Sequence, residues 1–321
     1  MKIQTCRNMK ILCVLVLCIA GRPMAGDEPR KTIKGTHSPI TIAQDRIFVT
    51  FTHRLHPDNR IGYRLFEHTP IVDGPVPRDG RVAGIDVVES AEREKAFAKR
   101  PGILTIKHKI DEEHWIRQDW TFYMAPVKDG IDILLIVETF DKGLPSYYGI
   151  QQCFRMSGRT NAEWRQKIAR TPAFSEYDMW AGEKEPPEEA SLTWVRRKGR
   201  WQKLPATRET VGARTPLGVR IDNQRTQGKP MDKVGPYEAK MLEPIDDGLI
   251  TRSNVEGTWI SGIFWEGTSH VTDHHPADCL HCIVNVGGVP PHTKRTIRGK
   301  IYWFQGSKND LVQHFKRDFA K

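Results

Sequence analysis

From Ile40 onward the chain repeatedly alternates apolar and polar side chains with a period of two, and this limits its fold more than any other feature. Ile47, Val49 and Phe51 alternate with Phe48, Thr50 and Thr52, and Leu104, Ile106 and Ile110 alternate with Thr105, Lys107 and Lys109. Successive side chains of an extended backbone point to opposite faces, so each such stretch reads as a strand with one covered side. The same reading applies to residues 115–123, 131–140, 147–155, 192–196, 217–221, 259–265, 280–286 and 296–304. Lys198-Gly199, between Trp194 and Trp201, reads as a hairpin turn.

Helical signals are few. Thr160-Asn-Ala-Glu163 has capping-box spacing ahead of Trp164 and Ile168, and Ser307-Lys-Asn-Asp310 precedes Leu311, Phe315 and Phe319 at every fourth position. Residues 89–99 are charged enough to be a helix or a loop. Strands that follow one another with hardly a helix between them exclude a parallel α/β sheet, whose crossovers each need one. The expected fold is therefore all-β: a large antiparallel two-sheet β-sandwich with one or two short helices and a C-terminal helix. No internal repeat of fixed period is visible, and residues 182–189 and 208–244 read as long loops.

Lys2, Arg7 and Lys10 precede the apolar run from Ile11 to Ala20, with Pro23 and Ala25 beyond it. That order reads as a signal peptide over residues 1–25, and the expected location is secreted or periplasmic. The run is shorter than the roughly 20 residues of a membrane helix, and nothing later approaches that length, so no membrane span is expected. Residues 26–39 are polar, contain Pro29, Gly35 and Pro39, and read as a flexible arm; residues 40–321 read as a single domain.

Without the leader's Lys2, Arg7, Lys10 and Arg22 the net charge falls by four, from +10 to +6, and the remaining basic residues are scattered. Such a surface suits polyanions, and outside a cell these are acidic polysaccharides more often than nucleic acid, which is not an expected partner. The mature chain keeps Cys153, Cys279 and Cys282. An odd number excludes a disulfide scaffold and leaves at least one thiol or ligand.

The densest cluster of chemical groups runs from Glu266 through His270, Asp273, His274, His275, Asp278, Cys279 and His281 to Cys282, read here as a loop between two strands. Imidazoles beside carboxylates make acid and base pairs near neutral pH. Two functional readings compete. In one, His270, His274, His275 and His281, with Asp273 or Cys279, would hold a divalent metal; in the other, a His would exchange protons against Glu266 or Asp273 without any metal or other cofactor. On a strand Cys279 and His281 would share a face and Cys282 would point the other way, which argues against a Cys279/Cys282 zinc knuckle.

A second constellation, Gln151, Arg155, Arg165, Tyr177 and Trp180, sets aromatic rings beside planar polar groups. Rings stack on a pyranose, and a guanidinium pairs a uronate or sulfate through two parallel hydrogen bonds.

The last third, in Trp259-Ile-Ser-Gly-Ile-Phe-Trp265-Glu266, His275-Pro-Ala-Asp-Cys-Leu-His281 and the stretch from Gly288 through Pro290-Pro291 to Tyr302, resembles the galactose mutarotase-like β-sandwiches. The resemblance covers about 50 residues. It implies a His and a carboxylate on the concave sheet, and nominates His275 or His281 with Glu266; His274 is the further candidate.

The expected function is a secreted carbohydrate-active protein whose partner is an acidic or modified saccharide or polysaccharide. Proton transfer of lyase or epimerase type would run through His275 and Glu266, with substrate over Tyr177, Trp180 and Arg155. The alternative is a non-catalytic secreted or envelope-associated binding module, with a metal on the His-rich stretch.

Overall fold

The computed structural model describes residues 31–34, 37–45, 48–77, 87–111, 115–156, 192–204, 210–213, 244–254, 256–274 and 279–319. Sixteen strands are present among them: β1 (Thr32–Lys34), β2 (Ile40–Asp45), β3 (Phe48–His53), β4 (His56–Asp73), β5 (Leu104–Ile110), β6 (Gln118–Val127), β7 (Gly130–Thr139), β8 (Tyr147–Arg155), β9 (Thr193–Arg197), β10 (Arg200–Lys203), β11 (Thr210–Ala213), β12 (Ile250–Ser253), β13 (Trp259–Trp265), β14 (Thr268–His274), β15 (Cys279–Asn285) and β16 (Lys294–Gln305). Helix α1 (Val87–Ala98) falls in the charged segment, and α2 (Lys308–Phe319) closes the described chain. None of the described helices is long and apolar enough to cross a membrane.

The strands form two eight-stranded sheets, ordered β1-β2-β3-β4-β8-β15-β14-β11 and β10-β9-β12-β13-β16-β7-β6-β5. Neighbouring strands pair antiparallel throughout. The expected two-sheet β-sandwich is what the structure shows. β1 pairs with β2 and lies inside the segment read as an arm. The apolar partners in the alternation meet between the sheets: Val49, Phe51, Ile61, Tyr63, Phe154, Leu280 and Cys282 from the first, Trp120, Phe122, Ile263, Trp265, Ile301 and Trp303 from the second, all buried in one core.

The Lys198-Gly199 turn has both residues at positive φ (50° and 73°), and the Asp246 carboxylate accepts from both of their amides at 2.8 Å. Positive φ at both central residues is the turn whose twist matches antiparallel strands.

Both helices lie on the outside of the second sheet. Ser307 caps α2: its hydroxyl accepts from the Asp310 amide while Asp310 accepts from the Ser307 amide at 2.8 Å. Leu311, Phe315 and Phe319 then pack on Leu249, Ile260, Phe264 and Phe304. α1 is tied to the same side by Arg100 to Asp132 at 2.6 Å and by Tyr123, which donates to Glu94. In the first sheet most polar side chains of β8 and β15 face outward, while His53, Gln152 and Asp273 turn into the core.

Of the His-rich stretch expected as a loop, residues 275–278 lie outside the described residues, 279–282 begin β15, and 268–274 are strand β14, paired with β15 on one side and β11 on the other. Polar residues at inward as well as outward positions hide its alternation. Asp273 faces the core opposite Leu280, where Arg252 of β12 donates to it at 3.0 Å.

Candidate functional site

Antiparallel partners share a face, so the register alone assembles the site. Phe48 pairs with Arg64, Arg64 with Cys153, Cys153 with His281 and His281 with Thr272, a row across β3, β4, β8, β15 and β14. Flanking it on β8 and its neighbours are Arg155 opposite Cys279, and Gln151 opposite Ile283, which in turn faces His270. Leu280, Cys282 and Val284 alternate with these and point into the core, so this row lies on the outer face of the first sheet.

The face is polar yet covered. Gln151, Cys153, Thr272, His270, Cys279 and His281 are all buried, whereas Phe48, Arg64 and Arg155 are half-buried and open its β3–β4–β8 side. Gly62 matters here because a Cβ at that position would stand 2.4 Å from the Phe48 ring. The bare backbone lets the ring lie across the strand, with the Arg155 guanidinium 5.9 Å from its centroid.

His270 is held by a chain of hydroxyls. Tyr147 Oη lies 2.9 Å from Ser269 Oγ, which lies 2.9 Å from His270 Nδ1 and donates to the Ile283 carbonyl at 3.1 Å. A serine hydroxyl has one proton. With that proton on the carbonyl, Tyr147 and His270 Nδ1 are the donors, and the lone pair of the neutral imidazole is on Nε2. On the next row Thr272 Oγ1 lies 2.9 Å from His281 Nδ1. Gln151 Nε2 is a buried amide donor that makes no hydrogen bond among the described residues.

The residues nominated from sequence fare differently. Gln151, Arg155, His270 and His281 come together on this face. Glu266 does not join them as a proton-transfer partner: Arg298 donates to it from Nε at 2.9 Å and from its amide at 3.1 Å, and Arg93 donates at 3.2 Å. Both carboxylate oxygens are thereby used to pin α1 and β16 at the β13–β14 turn. Asp273 likewise serves Arg252 in the core and is no ligand on the outer face. The backbone of His274 continues β14, but its side chain, with Arg165, Tyr177, Trp180 and His275, lies outside the described residues.

Phe48, Arg64 and Cys153 were not nominated. Phe48 did carry a signal, being the aromatic member of an alternating set otherwise made of Thr50 and Thr52. Arg64 carried none, and Cys153 stood out only as one of three cysteines that cannot all pair; the register brings both beside His281.

Burial separates the remaining ionisable groups by face. It holds the Cys282 thiol and the Tyr63 hydroxyl well above their ordinary values, and pushes Tyr148 up to about 12. These groups stay neutral and belong to the packing, where Tyr63 donates to Gln152 at 2.5 Å.

No family model matches the chain, and no curated protein matches it. Among solved structures it is similar to the Slr1438 protein of Synechocystis sp. PCC 6803, at 9% identity and a TM-score of 0.43, over 87% of this chain and 97% of that one. It is similar also to a galactose mutarotase related enzyme of Lactobacillus acidophilus, at 9% identity and 0.39, over 87% and 99% of the two chains. A galactose mutarotase-like protein of Lactobacillus casei matches at 8% identity and 0.40, over 86% and 100%.

Proposed function

We propose that the outer face of the first sheet binds an acidic saccharide and that His270 moves a proton on it, a lyase or epimerase type of chemistry in an exported protein. The observation that carries this reading is Gln151 Nε2, a buried donor with no hydrogen-bond partner among the described residues, on the same face as Arg155 and the Phe48 ring. A buried amide left unbonded costs about 1–3 kcal/mol, which a ligand oxygen would recover. The half-buried ring offers an apolar surface for a pyranose, and Arg155 with Arg64 would pair its carboxylate. His270 suits the proton step because Ser269 fixes its ring at Nδ1 and an imidazole exchanges protons near neutral pH. Export rests on the leader-like first 25 residues, and it would place the protein among acidic polysaccharides.

The test is calorimetric titration with galacturonate and glucuronate oligomers beside neutral aldoses, followed by assays for an unsaturated uronate and for anomer exchange. Uronate binding that weakens about tenfold or more in Arg155→Ala, with turnover lost in His270→Gln, supports the reading. Equal binding of neutral and acidic sugars, or binding indifferent to Arg155 and Gln151, would end it.

A further inference from the structure

We propose that Cys153, Cys279 and His281 form a binding site for zinc or an equally thiophilic divalent ion. The Sγ atoms of Cys153 and Cys279 stand 3.5 Å apart, and with a His281 ring nitrogen the three ligand atoms lie within 4.8 Å of one another. At a zinc–sulfur distance of about 2.3 Å, two thiolates of a tetrahedral ion sit roughly 3.8 Å apart, so the sulfurs need to shift only by tenths of an ångström.

The register explains why the sulfurs approach without being a disulfide pair. Cys279 is opposite Arg155 and Cys153 is opposite His281, so the two cysteines are diagonal neighbours on β8 and β15. Diagonal Cα atoms on antiparallel strands are roughly 7–8 Å apart. A disulfide wants them within about 6.8 Å. A shared ion needs no S–S bond and accommodates the wider spacing.

His281 is prepared as the third ligand. Thr272 Oγ1 occupies its Nδ1 at 2.9 Å, so Nε2 is the nitrogen that coordinates, and the threonine sets the ring orientation as outer partners of metal-bound imidazoles do. The charge also balances. Two thiols each release a proton to the solvent on binding, and the two thiolates with one divalent ion make a neutral group, which a buried site favours. Three protein ligands leave one tetrahedral position for water or a substrate oxygen, the arrangement of metal sites that act rather than merely hold. Cys282 takes no part, because it faces the core opposite Val271.

The inference stands apart from the saccharide reading, which uses Arg155, Gln151 and His270. The protein is to be purified without chelator and analysed for metal. Zinc-free protein is then titrated with Zn(II) against a chelating indicator and, separately, with Co(II) while the near-ultraviolet spectrum is followed. One equivalent of ion and a thiolate-to-cobalt charge-transfer band are expected. Cys153→Ser and Cys279→Ser should each lose the band, His281→Gln should weaken binding about 100-fold, and Thr272→Val about 10-fold. Cys282→Ala should bind as the parent does, and Arg155→Ala, which removes saccharide binding under the other reading, should keep the ion. Near-ultraviolet circular dichroism checks that each variant is folded. Stoichiometric binding that survives in the folded Cys153→Ser/Cys279→Ser double variant, or a folded parent protein that takes up neither ion, overturns the proposal.

Discussion

Arg252 and Asp273 are both wholly buried, and the 3.0 Å ion pair between them joins β12 of the second sheet to β14 of the first through the middle of the sandwich. Arg252 also donates from Nε to Thr193 Oγ1 at 3.1 Å, so β9 shares the tie. The pair fixes which residues of β14 face inward, and so which imidazoles face out.

Removing one partner strands the other charge in the core. Asp273→Ala is expected to lose about 3–5 kcal/mol of stability, and Arg252→Met/Asp273→Leu to recover most of it. Urea unfolding followed by tryptophan fluorescence measures both. A double variant no more stable than the single one would mean that the pair's geometry, not its charge balance, matters.

Gly299 is opposite Trp265, and a Cβ there would lie 2.5 Å from the indole. Gly299→Ala should therefore cost about 1–3 kcal/mol by overpacking, since Trp265 is itself fully buried and has nowhere to move. The same denaturation experiment reads it, and a neutral effect would contradict the close packing of β13 on β16.

Ser269 is the hinge of the Tyr147–Ser269–His270 chain. Ser269→Ala leaves the buried Tyr147 hydroxyl without that partner and releases His270 Nδ1, at an expected cost of about 1–3 kcal/mol. Nitrogen chemical shifts of His270 should change from one tautomer to a mixture. Unchanged shifts would show that Ser269 does not set the tautomer.

The terminal helix has an electrostatic window. Lys300 Nζ lies 2.9 Å from Asp129, 3.2 Å from Asp132 and 2.8 Å from Asp318, and Arg317 reaches Asp129 at 2.6 Å. Burial alone would raise the Asp129 and Asp318 carboxyls, but Lys300 and Arg317 outweigh it and hold both below the usual range. Burial would likewise lower Lys300, and the aspartates overrule it and raise the ammonium. The depressed carboxylates stabilise the fold above about pH 3.9, and that contribution disappears as pH falls through their lowered values. The raised lysine stabilises it below about pH 10.4, and that contribution disappears as pH rises through its elevated value. Exchange protection of the α2 amides, relative to an unstructured chain at the same pH, should fall at both extremes, and Lys300→Met should flatten the alkaline limb. An alkaline limb that persists in Lys300→Met would assign it elsewhere.

Much of the fold was legible because many strands have one apolar and one polar side; β8 and β13 have the bounds read from sequence. β4 was missed since Pro57 and Pro70 interrupt it, and register shifts on either side of Glu67 break its period. β14 read as a loop because its inward Asp273 is balanced by a residue on another sheet, a compensation that no local window contains. The candidate face was half legible: residue types on β8 and β14 were nominated from the sequence. Which of them meet is decided by pairing between β4, β8 and β15, and the arginines that engage Glu266 come from α1 and β16, far from it in sequence.

The row from Phe48 to Thr272 is built late in the order in which strands can pair. Its members come from the beginning, middle and end of the described chain, and no two adjacent strands suffice to hold them. Assembly so dominated by distant pairings is intrinsically slow. The complete row would therefore emerge late in refolding, and fragments truncated before β15 would lack Cys279 and His281 however well their remaining strands paired.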